Sequence, residues 1–234
     1  MIEQVALRDG TDAFVVPLLR TDRAALAAEY ETLSPESRRR RFLAPVRHLS
    51  DAMLEHLVDD VDGIDHVALV LCAETSPGVY DPIALARIVR YADVPDAADL
   101  AVTVKDEWQG RGVATVLLEA LMRQRPAGVD RIVTEVLQDN PASLEMLRRL
   151  GAVSLEDEGS GVYGVVVELE PLAAARTPVG TPVGTPVGTA VGTTGSPPSP
   201  PSARPAEGRP IPLLRDPRHR QELRTRDQVC PWFT

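Results

Sequence analysis

The sequence predicts a mixed α/β (α+β) domain, a twisted and largely antiparallel sheet of about seven strands flanked by helices, confined to residues 1–172. Three observations predict it. Before residue 105, short apolar runs are joined by tight turns, and reversals that short make neighbouring strands antiparallel. After residue 105, strand, glycine loop, helix, strand and helix alternate. From residue 173 apolar periodicity stops: residues 177–192 read TPVG, TPVG, TPVG, TAVG, and GSPPSPPSARPAEGRP follows. Such a composition builds no core and predicts a flexible, partly extended tail over 173–234. Its four-residue period excludes collagen, which needs glycine at every third position.

Taken in order, apolar runs at 5–7 and 13–19 flank Asp9-Gly10, a dipeptide suited to a tight hairpin turn. Thr21-Asp22 precedes RAALAAEYETL and predicts a helix cap. Ser34-Pro35-Glu36 opens a second helix with a cap and a first-turn proline, and its body carries Arg38 to Arg41, read as a solvated face. Ser50-Asp51 opens a third helix ending near Gly63, with His56 placed at its surface. Strands are predicted over 66–72, 83–91 and 100–104; His66, in the first, reads as a satisfied core histidine. A helix over 112–125 gathers Val113, Val116, Leu117, Ala120 and Leu121 on one face. A strand follows over 131–137. Asn140-Pro141 starts a helix that Gly151 is expected to cap, and strands over 152–155 and 162–169 close the domain.

The chain carries a formal charge of −9; residues 173–234 hold eight Arg against four acidic residues, which leaves −13 on residues 1–172. An acidic domain repels nucleic acid and favours cationic partners. Cys72 and Cys230 lie far apart without metal-site spacing, so neither a metal site nor a disulfide framework is expected. With no apolar run of 18 residues and no signal peptide, the expected location is cytoplasmic, without membrane association.

WQGRGVAT, residues 108–115, joins a strand to a helix through two glycines. It half-matches the dinucleotide fingerprint G-x-G-x-x-G, but the third glycine is missing and several antiparallel strands precede it, against that reading. A ligand-free helix-capping turn and a pyrophosphate-binding loop remain.

Gln109-Gly110-Arg111-Gly112-Val113-Ala114 resembles the Q/R-x-x-G-x-G/A loop of the GNAT N-acetyltransferases, and Asn140-Pro141-Ala142-Ser143-Leu144 through Leu150-Gly151-Ala152 resembles that family's second signature. The resemblance spans roughly residues 5–170. LSPESRRRRF and RYADVPDAADLAVTVKDEWQGRG narrow it toward the bacterial Pat-type protein lysine acetyltransferases. The resemblance implies the GNAT fold and acetyl-CoA as cosubstrate. It implies that the amides of Gln109, Gly110, Arg111, Gly112, Val113 and Ala114 meet the pyrophosphate, that Val102, Thr103 and Val104 pair with the pantetheine amides, and that Asn140 and Ser143 lie near the pantetheine arm. It makes the Val104 N–H the oxyanion donor and Asp99 the general base. Such relatives carry Glu at that position, and the shorter Asp arm implies a bridging water. Leu147 stands where many members carry a Tyr acid; a thiolate leaves without one. Arg148 and Arg149 face either the adenosine phosphate or the end of their own helix dipole. Trp108 is expected to pack beside the loop. The acceptor implied is a protein lysine or a small amine. A coenzyme A-binding sensor with weak catalysis is the second class, kept open by Asp in place of Glu.

Overall fold

The structure, a computed structural model, describes residues 2–170. The predicted tail over 173–234, with Cys230, lies outside the described residues. The Asp9-Gly10 turn forms where expected, the Asp9 carboxylate accepting from the Thr11 N–H at 3.0 Å, and it joins β1 (Glu3–Ala6) to β2 (Asp12–Pro17). The ladder continues antiparallel through β3 (His66–Ser76), β4 (Val79–Arg90) and β5 (Ala97–Val104). Then come β6 (Arg131–Leu137), β7 (Gly151–Asp157) and β8 (Val162–Leu169). The sheet holds eight strands in the order β1-β2-β3-β4-β5-β6-β8-β7, one more than the count expected.

One neighbour pair differs from the rest. β5 and β6 run parallel and pair only at Ala97 with Arg131 and Ala98 with Ile132. Beyond those two rows the strands part, and the Thr134 hydroxyl donates across to the Leu100 carbonyl at 3.3 Å. The gap lies in the middle of the sheet, where backbone groups need other partners.

Helices cover both faces. α1 (Arg23–Thr32), α2 (Pro35–Phe42) and α3 (Asp51–Leu54) close one core, built on Leu18, Tyr30, Leu33, Phe42, Leu57 and Val58. α3 continues as a wider π turn over Glu55–Asp59. α4 (Val113–Arg123) and α5 (Pro141–Arg148) close the other, larger core. Three expected caps bond as the sequence suggests: Ser34 accepts from the Ser37 N–H, Ser50 from the Met53 N–H and Asn140 from the Ser143 N–H. Asp22 is the N-cap of α1 but makes no capping bond, its carboxylate accepting from the Leu19 N–H instead. Gly151 corrects an expectation. Arg149 is the C-cap of α5, and Gly151 opens β7, where a Cβ would lie 1.9 Å from the Glu168 carbonyl oxygen. Only glycine fits an approach that close. Among the described residues no helix is long and apolar enough to cross a membrane, and no cluster of three metal-ligating side chains is found.

Candidate functional site

The register of β4 on β5 decides which backbone groups face the gap. Lys105 donates to Ile83 at one end and Tyr91 to Ala97 at the other. Antiparallel pairs alternate between bonded and non-bonded rows. The bonded rows therefore hold residues 99, 101 and 103 of β5, and the amides and carbonyls of Val102 and Val104 aim across the gap toward β6. The Gln109 side-chain amide donates to the Val104 carbonyl at 3.1 Å, which leaves the Val104 N–H facing the gap.

The loop after β5 begins with a 3-10 turn, Asp106–Trp108, and the Asp106 carboxylate takes three hydrogen bonds from α2: the Ser34 N–H at 2.9 Å, the Ser34 hydroxyl at 2.8 Å and the Ser37 hydroxyl at 2.7 Å. Burial pushes the Asp106 carboxyl up, but the Ser34 and Ser37 donors together hold it below the ordinary aspartate value. Gln109 also donates to the Ser37 hydroxyl at 3.2 Å. Gly112, at φ 83, is the N-cap of α4, and its carbonyl takes the N–H groups of Thr115 and Val116. The Val113 and Ala114 amides come before the first intrahelical bond, so they stand at the positive end of an eleven-residue helix, an arrangement suited to an anion.

These parts surround a cavity of about 220 Å³ lined by Val102, Thr103, Val104, Gln109, Gly110, Gly112, Ala114, Asn140 and Ser143. Nine of the expected site residues thus meet in one place. Three do not line it. Val113 is 1% exposed and its side chain packs into the larger core. Arg111 stacks over Trp108 at 4.6 Å and pairs at 3.6 Å with Asp9 of the β1–β2 turn, so its charge ties the two loops together. Asp99 is 7% exposed and lines no described cavity; it sits opposite Val89, on the sheet face that carries Arg87 and His66. Thr103 lines the cavity, but its backbone belongs to the β4 ladder through Leu85, which corrects its expected pairing with an incoming amide. Leu147 is a core residue, 2% exposed.

The arginine run of α2 was expected to be a solvated face, and the structure assigns its members separate tasks. Arg38 donates to the carbonyls of Leu33, Glu31 and Arg47. Arg39 pairs with Glu36 and reaches Asp139, beside the cap of α5. Arg40 and Arg41 line the cavity and bring the positive charge that Arg111 does not. Ser37, Trp108, Ala142 and Met146 complete the lining. The capped proline start of α2 was the available signal for Ser37. His56 is also corrected: it is 8% exposed, not at the surface. His66 is buried as expected, but its Nε2 has no hydrogen-bond partner among the described residues.

A family model described as an acetyltransferase (GNAT) domain matches residues 14–153. The chain is 35% identical over 170 residues to the acetyltransferase Pat of Mycolicibacterium smegmatis, a match covering 72% of this chain and 49% of that protein. It resembles the crystal structure of the GNAT domain of S. lividans PAT at 34% identity and a TM-score of 0.60, covering 72% of this chain and 97% of that one. A cAMP-binding acyltransferase from Mycobacterium smegmatis matches at 28% identity and a TM-score of 0.50, over 76% of this chain and 50% of that protein. The chain thus spans about half the length of the full-length Pat it matches.

Proposed function

The chain belongs to the acetyltransferase (GNAT) family, and from that premise we propose that it is an acetyl-CoA-dependent N-acetyltransferase whose acceptor is the ε-amine of protein lysines. The observation that carries the donor half is the gap between β5 and β6, where Val102 and Val104 present amide edges beside the open N-terminus of α4. Pantetheine amides fit the first, and a pyrophosphate fits the second. Arg40 and Arg41 add charge for the phosphates, and Asn140 and Ser143 line the same cavity. The acceptor half rests on the similarity to Pat and on the acidic surface, which draws cationic side chains.

In the proposed reaction the neutral amine attacks the thioester carbonyl, the new N–C bond forms, the C–S bond breaks and the coenzyme A thiolate leaves. A free lysine has a pKa of about 10.4, so a proton must be removed before attack. The Val104 N–H is the proposed donor to the oxyanion. Asp99 is the proposed base. Five residues of strand, about 17 Å, separate it from Val104, so the proton reaches it through a chain of waters.

Asp99→Asn keeps the shape and removes the basicity. Its turnover, read as free thiol released from acetyl-CoA in the presence of lysine peptides, is expected to fall about 10²- to 10⁴-fold with acetyl-CoA affinity unchanged. A wild-type rate across the pH range removes Asp99 from the mechanism. The burial of Asp99 outside the described cavities favours one second reading, a coenzyme A-binding domain with weak catalysis. That reading predicts tight acetyl-CoA binding without acceptor-dependent thiol release.

A further inference from the structure

A second cavity, of about 280 Å³, adjoins the first and shares Arg41 and Thr103 with it. It lies between α1 and the sheet, with Leu26, Tyr30, Phe42, Leu57, Val70 and Leu85 among its walls. A space of this size, walled by aliphatic and aromatic groups, suits an apolar guest.

The charged groups at its margin narrow the class of guest. They are Asp22, Glu29, Arg41 and Lys105, two acids and two bases. Glu29 faces Lys105, Oε2 to Nζ at 2.5 Å, and Asp22 accepts from the Leu19 N–H at 2.8 Å. An entering ammonium therefore meets carboxylates already engaged, whereas an uncharged hydrocarbon disturbs neither contact. The shared lining at Thr103 and Arg41 sets the two cavities side by side at the strand edge of the first.

We propose that this cavity receives the hydrocarbon chain of acyl-CoA thioesters longer than acetyl, in the range of butyryl to octanoyl. The inference rests on reading the first cavity as the coenzyme A site. The chemistry keeps its balance: the acceptor nitrogen bonds to the acyl carbon, the C–S electron pair leaves on sulfur, and the amine proton passes to water and Asp99. The chain only adds binding area.

Isothermal titration of the full chain with acetyl-, butyryl-, hexanoyl- and octanoyl-CoA tests it. Each methylene moved from water to an apolar wall is worth about fourfold at most, so hexanoyl-CoA is expected to bind at least about tenfold more tightly than acetyl-CoA. Leu26→Trp fills the cavity from α1 and is expected to bring hexanoyl-CoA back to the acetyl-CoA affinity, leaving acetyl-CoA itself unchanged. Val70→Phe, which fills it from β3, is expected to do the same. Equal affinity of the wild-type chain for all four thioesters overturns the proposal, as does a length preference that survives both fillings. Hexylamine binding that the same fillings abolish, without any thioester length preference, assigns the cavity to the acceptor and also overturns it. Failure of every thioester, acetyl-CoA included, refutes the coenzyme A reading instead.

Discussion

His66 is 4% exposed, and its ring centroid lies 5.6 Å from that of His56. Arg87 donates to the Nε2 of His56 at 2.7 Å. A guanidinium cannot accept, so His56 is neutral, with its proton on Nδ1 and donated to Asp60 at 3.1 Å. A proton on either ring would set a second cation beside Arg87. Burial, then Arg87 and His56, push the His66 pKa down to about 3, against Asp62, and burial with Arg87 lowers that of His56, against Asp60. The unfolded chain takes up these protons near pH 6.5, while folded His66 does so only near 3. Stability is therefore lost as pH falls from about 6.5 toward 3, by up to about 1.4 kcal/mol per pH unit for His66. Urea unfolding at stepped pH is expected to show this slope, and His66→Leu to flatten it; an unchanged slope in the variant places the proton uptake elsewhere. The environment of His56 was not legible in the sequence. His56 follows Met53 by three residues, on the buried side of its helix, but Arg87, the donor to its Nε2, lies 31 residues away. Gly151 was legible as a glycine the fold requires, but not for its reason, because the Glu168 carbonyl it must clear belongs to another strand.

Between elements, the connection that shapes the cavity is α2 held on the loop after β5. Asp106 receives three hydrogen bonds from Ser34 and Ser37, and Ser37 in turn accepts from Gln109. Hydrogen bonds to a charged group are worth more than neutral ones, so Asp106→Ala is expected to cost about 1.5–3 kcal/mol of stability. It is also expected to weaken acetyl-CoA binding several-fold, because Arg40 and Arg41 ride on the released helix. Thermal melting and titration on the same preparation check both effects; a destabilised variant with wild-type affinity means that α2 does not shape the site. The start of α2 is legible in Ser34-Pro35 because capping is local chemistry. Its docking is not, since Asp106 lies 72 residues from Ser34. For the same reason the four arginines looked alike, although each meets different partners.

Over the whole molecule, the strands and helices of the described residues follow from turns, caps and apolar periodicity, and the two signature stretches meet at one cavity. What the sequence could not supply is register. Register turns Val102 and Val104 toward the gap and Thr103 away from it, and it leaves Asp99 on the buried face beside Arg87. The one parallel pair among the described residues, β5 with β6, opens the sheet next to the start of α4, and that opening is the proposed seat of acetyl-CoA. Titration of acetyl-CoA into wild-type, Gly112→Ala and Gly112→Glu chains tests it most directly. At φ 83 any side chain is strained by about 1–2 kcal/mol, and a Cβ would meet the Arg8 side chain at 2.8 Å, so the alanine variant reports that cost alone. One site is expected in the wild type, a modest loss in Gly112→Ala, and a further loss of at least about tenfold in Gly112→Glu, where a carboxylate enters the proposed phosphate position at the start of α4. Equal affinity of Gly112→Glu and Gly112→Ala would contradict it.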